Sequence, residues 1–255
     1  MPQFENVSIM LGAVDETDSL RTTVKTLLEI CDHKDIREFI IGYSQHVTPE
    51  CKAVVDELAA MEGDVPVVTF MQTRKGIEAL TEMIDIARGS HCLLLSSDLA
   101  HDLTGVITLI EEAKKDGDTI VSFSRWLKGC EFYGYSKVKY LFNFAAQQLL
   151  KIMFGAKRTD FTNPCQIVPT EVYQSINWES EGFPILIELV LKPMRLGCRF
   201  KEVPTNCYSR KQGKSKNSFR QTFLYLKTAL HIRLIRKKEI LKKESELYKK
   251  AYGER

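Results

Sequence analysis

His91-Cys92-Leu93-Leu94-Leu95-Ser96-Ser97-Asp98 holds four apolar residues in a row and then breaks into three polar ones. A run this short, without polar alternation, reads as a strand covered on both faces, as in a parallel sheet flanked by helices. Asp98 then falls beyond the carboxyl end of that strand, where open α/β sheets bind their ligands. The same unit recurs on both sides. Upstream, Val7–Leu11, Glu38–Gly42 and Val65–Phe70 are short apolar strands. Between them, Leu20, Val24, Leu27 and Cys31 form one helical stripe, and Thr48-Pro49-Glu50 caps a helix bearing Val54, Val55 and Leu58. Lys75-Gly76 opens a helix with Ile77, Leu80, Ile84 and Ala87. Downstream, residues 103–115 form a helix with Val106, Ile107 and Ile110 inward, followed by a strand over Thr119–Phe123. The alternation predicts an α/β fold with a mainly parallel sheet flanked by helices.

Beyond residue 124 the pattern changes. Tyr140, Leu141, Phe144, Leu149 and Ile152 predict a helix over 135–154, stopped at Gly155. Residues 160–188 have no regular reading until Pro184–Leu191, where Glu188 sits in an apolar run and must be paired, solvated in a cleft, or protonated. Arg199–Pro204 reads as a late strand, and Tyr208–Ser218 as a basic loop. Phe219, Phe223, Leu226, Leu230, Leu234 and Leu241 then predict one amphipathic basic helix over 219–250. The chain divides into a domain at 1–218 and a helical tail at 219–255.

The chain has 255 residues, 44% hydrophobic and 27% charged, which is enough to bury a core and excludes global disorder. No apolar run reaches the roughly 18 residues that a membrane span needs, and residues 1–15 lack a basic start followed by an apolar stretch. The expected location is cytoplasmic, with the membrane surface as an option. Seven scattered cysteines, without CxxC, read as reduced structural thiols. Residues 201–255 carry 16 Lys/Arg against 5 Asp/Glu, while residues 1–200 carry 20 against 28. Motifs GxGxxG, GxxxxGK[ST] and HExxH are absent, which weighs against dehydrogenase, P-loop and zincin chemistry.

A further set of short motifs occurs in a fixed order. Gly12-Ala13-Val14-Asp15-Glu16 closes the first strand, Arg74-Lys75-Gly76 and Ala87-Arg88-Gly89-Ser90 precede the Asp98 strand, and Leu95-Ser96-Ser97-Asp98-Leu99-Ala100-His101 follows. Ser124-Arg125, Asp160, Glu188, Glu202-Val203-Pro204 and Arg210-x-x-Gly213-Lys214-Ser215-Lys216 complete the series. From about residue 6 to 218 this order resembles the GT-A glycosyltransferases of family 2 related to dolichyl- and polyprenyl-phosphate mannose or glucose synthases. The resemblance implies a GT-A, Rossmann-like sheet and inverting transfer of a sugar from a nucleotide-sugar donor to a polyprenyl phosphate or a hydroxyl acceptor such as a glycan.

Two departures stand out. Gly42-Tyr43-Ser44-Gln45-His46 replaces the Asp pair with which the family holds the nucleotide, so Tyr43 stacking and Ser44 or Gln45 hydrogen bonding are the available grips. In the metal motif Ser96 replaces the first Asp and Ala100 the Gln, leaving Asp98, with Asp102 nearby as a second oxygen donor. Asp98 with Asp102 would hold Mg2+ or Mn2+ beside the diphosphate, one carboxylate sufficing when phosphate oxygens complete the shell. Arg125, Arg210, Lys214, Lys216 and Lys75 are the cationic alternative for the leaving group.

The resemblance assigns chemistry to Asp98, Arg125, Asp160 and Arg210, and donor binding to Ala13, Asp15, Glu16, Lys75, Ser97, Lys214 and Lys216, to which side-chain chemistry adds Tyr43 and Ser44. Each has a plainer reading beside it. Asp98 and Asp102 would cap the next helix, Asp15 and Glu16 the helix beginning near Ser19, and Asp160 would serve either as a base or in a salt bridge. The basic loop 210–216 is a phosphate clamp or a solvated charge run, His101 is a structural side chain, and Trp126 lines an acceptor groove or packs at its rim. The tail rests on an anionic membrane, or docks on its own domain or a second subunit; it lacks a nucleic-acid reading module. The competing functional reading is a noncatalytic sugar-nucleotide-binding or scaffold protein on a degenerate fold.

Overall fold

A computed structural model describes residues 3–74, 76–99, 101–208 and 219–253; for 219–222 only the backbone is described. A seven-stranded sheet has the order β3-β2-β1-β4-β7-β5-β8. Its strands are β1 (Val7–Ala13), β2 (Ile36–Tyr43), β3 (Val67–Met71), β4 (His91–Leu94), β5 (Thr119–Ser124), β7 (Gln166–Pro169) and β8 (Arg199–Pro204). All neighbours pair in parallel except β7, which is antiparallel to both β4 and β5. The main helices are α1 (Asp18–Ile30), α2 (Pro49–Ala59), α3 (Leu80–Ile86), α4 (Gly105–Lys115), α5 (Lys137–Phe154), α6 (Thr170–Ser175) and α7 (Ile185–Leu196). A two-stranded ribbon pairs β6 (Phe132–Tyr133) with β9 (Cys207–Tyr208).

The sheet is buried on both faces. On one side Ile9, Leu11, Phe39, Ile41 and Leu93 pack with Leu20, Val24, Leu27, Val54 and Val106. On the other, Met10, Ile40, Cys92, Leu94 and Val168 pack with Leu80, Ile84, Tyr173 and Leu189. One buried polar cluster ties the strand starts together: Ser8 donates to Glu38, and Glu38 accepts the N–H of Arg88. Gly89 follows in direct contact with β1, where a side-chain carbon would lie 2.6 Å from the Ser8 nitrogen, so that only glycine fits.

The structure revises three local readings and decides a fourth that the sequence left open. The turn at Gly76 enters a 3-10 helix over Gly76–Ala79 before α3 begins, and Ile107 on α4 is exposed rather than inward. Residues 160–188 are not irregular throughout: Gln166–Pro169 is a central strand and Thr170–Ser175 a helix. The Gln and Pro hid that strand; Gln166 is buried because its side chain bonds Tyr173, the Leu189 carbonyl and Arg158. Glu188 is paired, its carboxylate 2.9 Å from the fully buried Lys192 ammonium, which also reaches Glu179 at 2.9 Å.

The tail is not one helix. It forms α8 (Phe219–Leu234), α9 (Lys237–Ile240) and α10 (Glu246–Tyr252). Ala229 and Ile232 of α8 pack with Leu150, Ile187 and Val190. Past α8 the chain folds back on the sheet domain, where Ile240 and Leu241 are buried, Leu241 bridges Ile176, and the Lys242 N–H bonds the Ser175 carbonyl. The cysteines are all free, and among the described residues no helix is long and apolar enough to cross a membrane.

Candidate active site

Because β7 alone is reversed, β1, β2, β4, β5 and β8 end on one edge of the sheet, and the segment 158–165 that leads into β7 lies on that edge as well. Ala13 is the buried last residue of β1. Beside it, the Ser97 hydroxyl donates to the Gly12 carbonyl at 2.8 Å, joining the segment after β4 to the end of β1. The Ser96 hydroxyl donates to Asp98 Oδ1 at 2.6 Å, and Asp98 is buried. Leu99 follows at φ +55°, a left-handed conformation costing about 1–2 kcal/mol for a side-chain-bearing residue. Such strain persists where the surroundings fix a turn, and here it turns the chain away directly after Asp98.

Asp102 serves the turn before α4, its Oδ1 accepting the Thr104 N–H at 3.0 Å and the Thr104 hydroxyl at 2.8 Å. Glu16 accepts the N–H groups of Val14 at 2.8 Å and Asp15 at 3.2 Å, thereby holding its own loop, and makes no cap for α1. Asp15 is exposed. Tyr43, half-buried at the end of β2, has the Lys52 ammonium 5.0 Å from its ring centroid, and Ser44 accepts the His46 N–H at 3.1 Å. Lys75, Arg210, Lys214 and Lys216 lie outside the described residues.

Arg125 follows β5 and forms a fork with Asp160: Nε to Oδ2 at 2.7 Å and Nη2 to Oδ1 at 2.9 Å. Nη2 also donates to the Thr162 hydroxyl at 2.9 Å. Asp160 is fully buried, whereas the Arg125 side chain keeps 15% exposure at the edge. The segment is clipped from three sides. The Glu202 carboxylate on β8 accepts the N–H groups of Thr159 and Asp160 and the Thr159 hydroxyl. Arg158 donates to the Asp160 carbonyl at 2.6 Å, and Gln147 on α5 bonds both the Thr162 hydroxyl and the Phe161 N–H.

The electrostatics follow from burial and pairing. Burial alone would push the Asp160 carboxyl up, but the guanidinium of Arg125 overrides it and holds the group below the usual carboxylate range. Arg125, opposed by the same burial, is held above its ordinary value by Asp160. Asp160 is therefore a poor proton acceptor, and the geometry makes it the residue that positions Arg125 rather than a base. Burial, and secondarily Arg125, push the His101 imidazole down to about 4, so it is neutral near pH 7. Its Nδ1 is buried without a hydrogen-bond partner, and its ring lies 5.5 Å from Phe123.

Trp126 packs against Phe132 at 4.9 Å and Tyr140 at 5.0 Å, beside a shallow pocket of about 440 Å³ that includes Tyr135 and Lys137. Sequence reasoning singled out Arg125 and Asp160 separately but gave no role to Arg158, Gln147, Thr162 or the Glu202 carboxylate. Glu202 stood in the Glu202-Val203-Pro204 motif without a role for its carboxylate, and Gln147 shares the buried stripe of α5 with Leu150.

The Glycosyl transferase family 2 model matches residues 8–176, which span β1 to the end of α6 and so include Asp98, Arg125 and Asp160. Glucosyl-3-phosphoglycerate synthase from Mycobacterium tuberculosis, solved with Mn2+, uridine diphosphate and glucosyl-3-phosphoglycerate, superposes with a TM-score of 0.67 at 17% identity, covering 91% of this chain and 81% of that one. The same enzyme with Mg2+ and uridine diphosphate gives 0.67 at 16% identity, covering 91% and 80%. A mycobacterial protein gives 0.64 at 17%, covering 91% and 76%. At these identities the superpositions speak for the GT-A fold. With the family match extending over both halves of the site, the chain belongs to glycosyl transferase family 2 and is a glycosyltransferase.

Proposed function

We propose that this enzyme transfers a sugar from a nucleoside-diphosphate donor to a polyprenyl phosphate, with a hydroxyl of a glycan as the second acceptor class, at the cytoplasmic face of a membrane. The observation that carries the reading is the Arg125–Asp160 fork, a guanidinium fixed in place and left partly open at the carboxyl edge of the sheet. In the reaction an acceptor oxygen attacks the anomeric carbon, the bond from that carbon to the donor phosphate breaks, and the nucleoside diphosphate leaves with the electron pair. Inversion follows from a single displacement. A phosphate acceptor is already ionised and needs no base, in keeping with an Asp160 that is committed to Arg125. Arg125 offers planar donors that suit phosphate oxygens.

The donor lies against Ala13, Tyr43 and Ser97 at the ends of β1, β2 and β4, and Asp15, Glu16 and Ser44 line the neighbouring loops. Arg210, Lys214, Lys216 and Lys75 are assigned to the phosphates by sequence alone. The glucosyl-3-phosphoglycerate synthase was solved with Mn2+ or Mg2+ beside uridine diphosphate. Among the described residues no three His, Cys, Asp or Glu side chains converge as a protein cage. The hard-oxygen pair of the Asp98 carboxylate and Ser96 hydroxyl fits a cation that takes its remaining ligands from phosphate oxygens, with Asp102 as a further oxygen once its turn contacts open. Such a cation would neutralise charge on the departing diphosphate.

The test incubates the full chain with radiolabelled UDP-, GDP- and dTDP-sugars and a short-chain polyprenyl phosphate in detergent, with Mg2+ or Mn2+. Label entering the organic phase with one donor, and lost in Asp98→Ala and Arg125→Lys, is the expected result. Label transferred only to water-soluble hydroxyl acceptors would replace the lipid-phosphate assignment.

A further inference from the structure

Among the described residues a large apolar surface is left open. Among the described residues seventeen large apolar side chains are exposed; seven of them stand on α5 and three on α8. On α5 they are not scattered. Val138, Leu141, Leu149 and Ile152, with the exposed Ala145, recur at helical spacing along one stripe of an 18-residue helix about 27 Å long. Leu141 is 66% exposed and Ile152 80%. The opposite face of the same helix is committed to the protein through Gln147 and Leu150. The stripe is therefore additional to what folding buries, and a patch of this kind marks an interaction surface.

The neighbouring α8 repeats the arrangement. It packs on α5 through Ala229 and Ile232, Arg233 donates to the Met153 carbonyl, and Phe223, Leu230 and Leu234 remain exposed at intervals of seven and four residues. Charge identifies the occupant. Helix α5 carries Lys137, Lys139 and Lys151, and the described part of α8 carries Lys227 and Arg233; neither helix has an Asp or Glu. Two such faces brought together in a dimer would set cation against cation. An anionic lipid surface instead takes the apolar stripe into its acyl boundary and the basic groups at its headgroups.

We propose that α5 and α8 together form a face that lies on anionic membranes without spanning them. The sequence left a continuous 219–250 helix open to membrane contact or to docking on its own domain or a second subunit. Of that stretch α8 keeps an exposed apolar face, here joined by α5, while the chain after α8 is bound to its own domain through Ile240 and Leu241. The face also adjoins the site: Gln147 of α5 bonds Thr162, which bonds Arg125, and Tyr140 of α5 packs on Trp126. A phosphate headgroup in the bilayer would thus meet the enzyme on the side where the Arg125 segment is held. This deepens the lipid-phosphate reading but rests on the surface itself and not on any donor chemistry.

The experiment is flotation of the full chain with vesicles of phosphatidylcholine containing about 30% phosphatidylglycerol, against phosphatidylcholine alone, with no acceptor lipid and no donor. The expected result is binding to the anionic vesicles that falls about fivefold or more in Leu141→Glu and in Ile152→Glu. Lys137→Glu/Lys139→Glu should weaken binding and flatten its salt dependence, while Ile107→Glu on α4 should leave it unchanged. Thermal melts of each variant separate lost binding from lost folding. Failure of the wild-type chain to float, or equal binding by all variants, overturns the proposal. So does a wild-type dimer in sedimentation velocity that Leu141→Glu converts to monomer, since a second copy would then cover the face. Because flotation uses neither acceptor nor donor, vesicle binding combined with a failed polyprenyl-phosphate transfer assay would sink the acceptor assignment alone.

Discussion

The carboxylate of Glu202 accepts the backbone N–H of Asp160 at 2.9 Å across 42 residues of sequence. Strand β8 thereby holds the residue that holds Arg125. The same carboxylate also takes the Thr159 N–H and hydroxyl, so one side chain orders the start of the segment that forms one wall of the site.

Glu202→Gln keeps one acceptor oxygen and loses the charge. The expected cost is about 1–2 kcal/mol, since hydrogen bonds to a charged group contribute more than neutral ones. For a chain of this size that lowers the melting temperature by roughly 2–8 °C. The variant should also weaken the thermal stabilisation given by a bound donor, because Arg125 loses its fixed position. A variant that melts lower but binds donor normally would confine Glu202 to folding.

Asp160→Asn removes the counterion of a guanidinium that burial alone would disfavour. Breaking a buried pair from one side costs about 3–5 kcal/mol, and urea denaturation should show a loss of that order. Arg125→Lys should be milder in stability, because an ammonium still neutralises Asp160, yet sugar transfer should fall steeply with the loss of the planar fork.

The Lys192–Glu188 pair gives a sharper comparison. Lys192→Met leaves Glu188 buried without its ammonium and should destabilise by about 3–5 kcal/mol. Adding Glu188→Leu should recover much of that loss, so the double variant should be more stable than Lys192→Met alone. A strictly additive pair in urea denaturation would show that the two charges act independently.

Stability should rise with pH between about 4 and about 6.5. His101 is depressed to about 4 in the folded protein, so across this window the unfolded chain takes up the proton and the folded one does not. Its contribution is full above the unfolded value and is lost as pH falls through the window. His91, also depressed chiefly by burial, acts in the same direction. Asp160 acts at lower pH: its depressed carboxyl contributes stability above the ordinary Asp value of about 4, lost as pH falls through the folded value. His101→Gln should flatten the slope between pH 4 and 6.5 in a series of urea melts; an unchanged slope would show that this imidazole is solvated.

Much of the architecture was legible because it is local. Apolar blocks such as Ile9–Leu11 and Cys92–Leu95, each followed by a helical stripe, specify strands and helices from neighbours a few residues apart. The strand at Gln166–Pro169 escaped because its polar residue is satisfied by Arg158, Tyr173 and Leu189, contacts that no window along the chain contains. The continuous tail helix failed for the opposite reason: periodicity carried past Leu234, but packing of Ile240 and Leu241 on residues 175–177 bends the chain back.

The site divides along the same line. By itself the sequence determined the α/β alternation, the placement of Asp98 after a strand and of Arg125 after another, and the basic excess beyond residue 200. Only the tertiary structure decided what those groups do. Reversal of β7 brings residues 158–163 to the carboxyl edge beside Arg125, and β8 supplies Glu202 to hold them. It also decided that Asp160 is committed to an arginine, that Asp102 serves a turn, and that the apolar stripe of α5 faces outward. Periodicity is set by bonds between near neighbours; pairing and exposure depend on which distant strands lie side by side, and that is fixed only when the sheet closes its core.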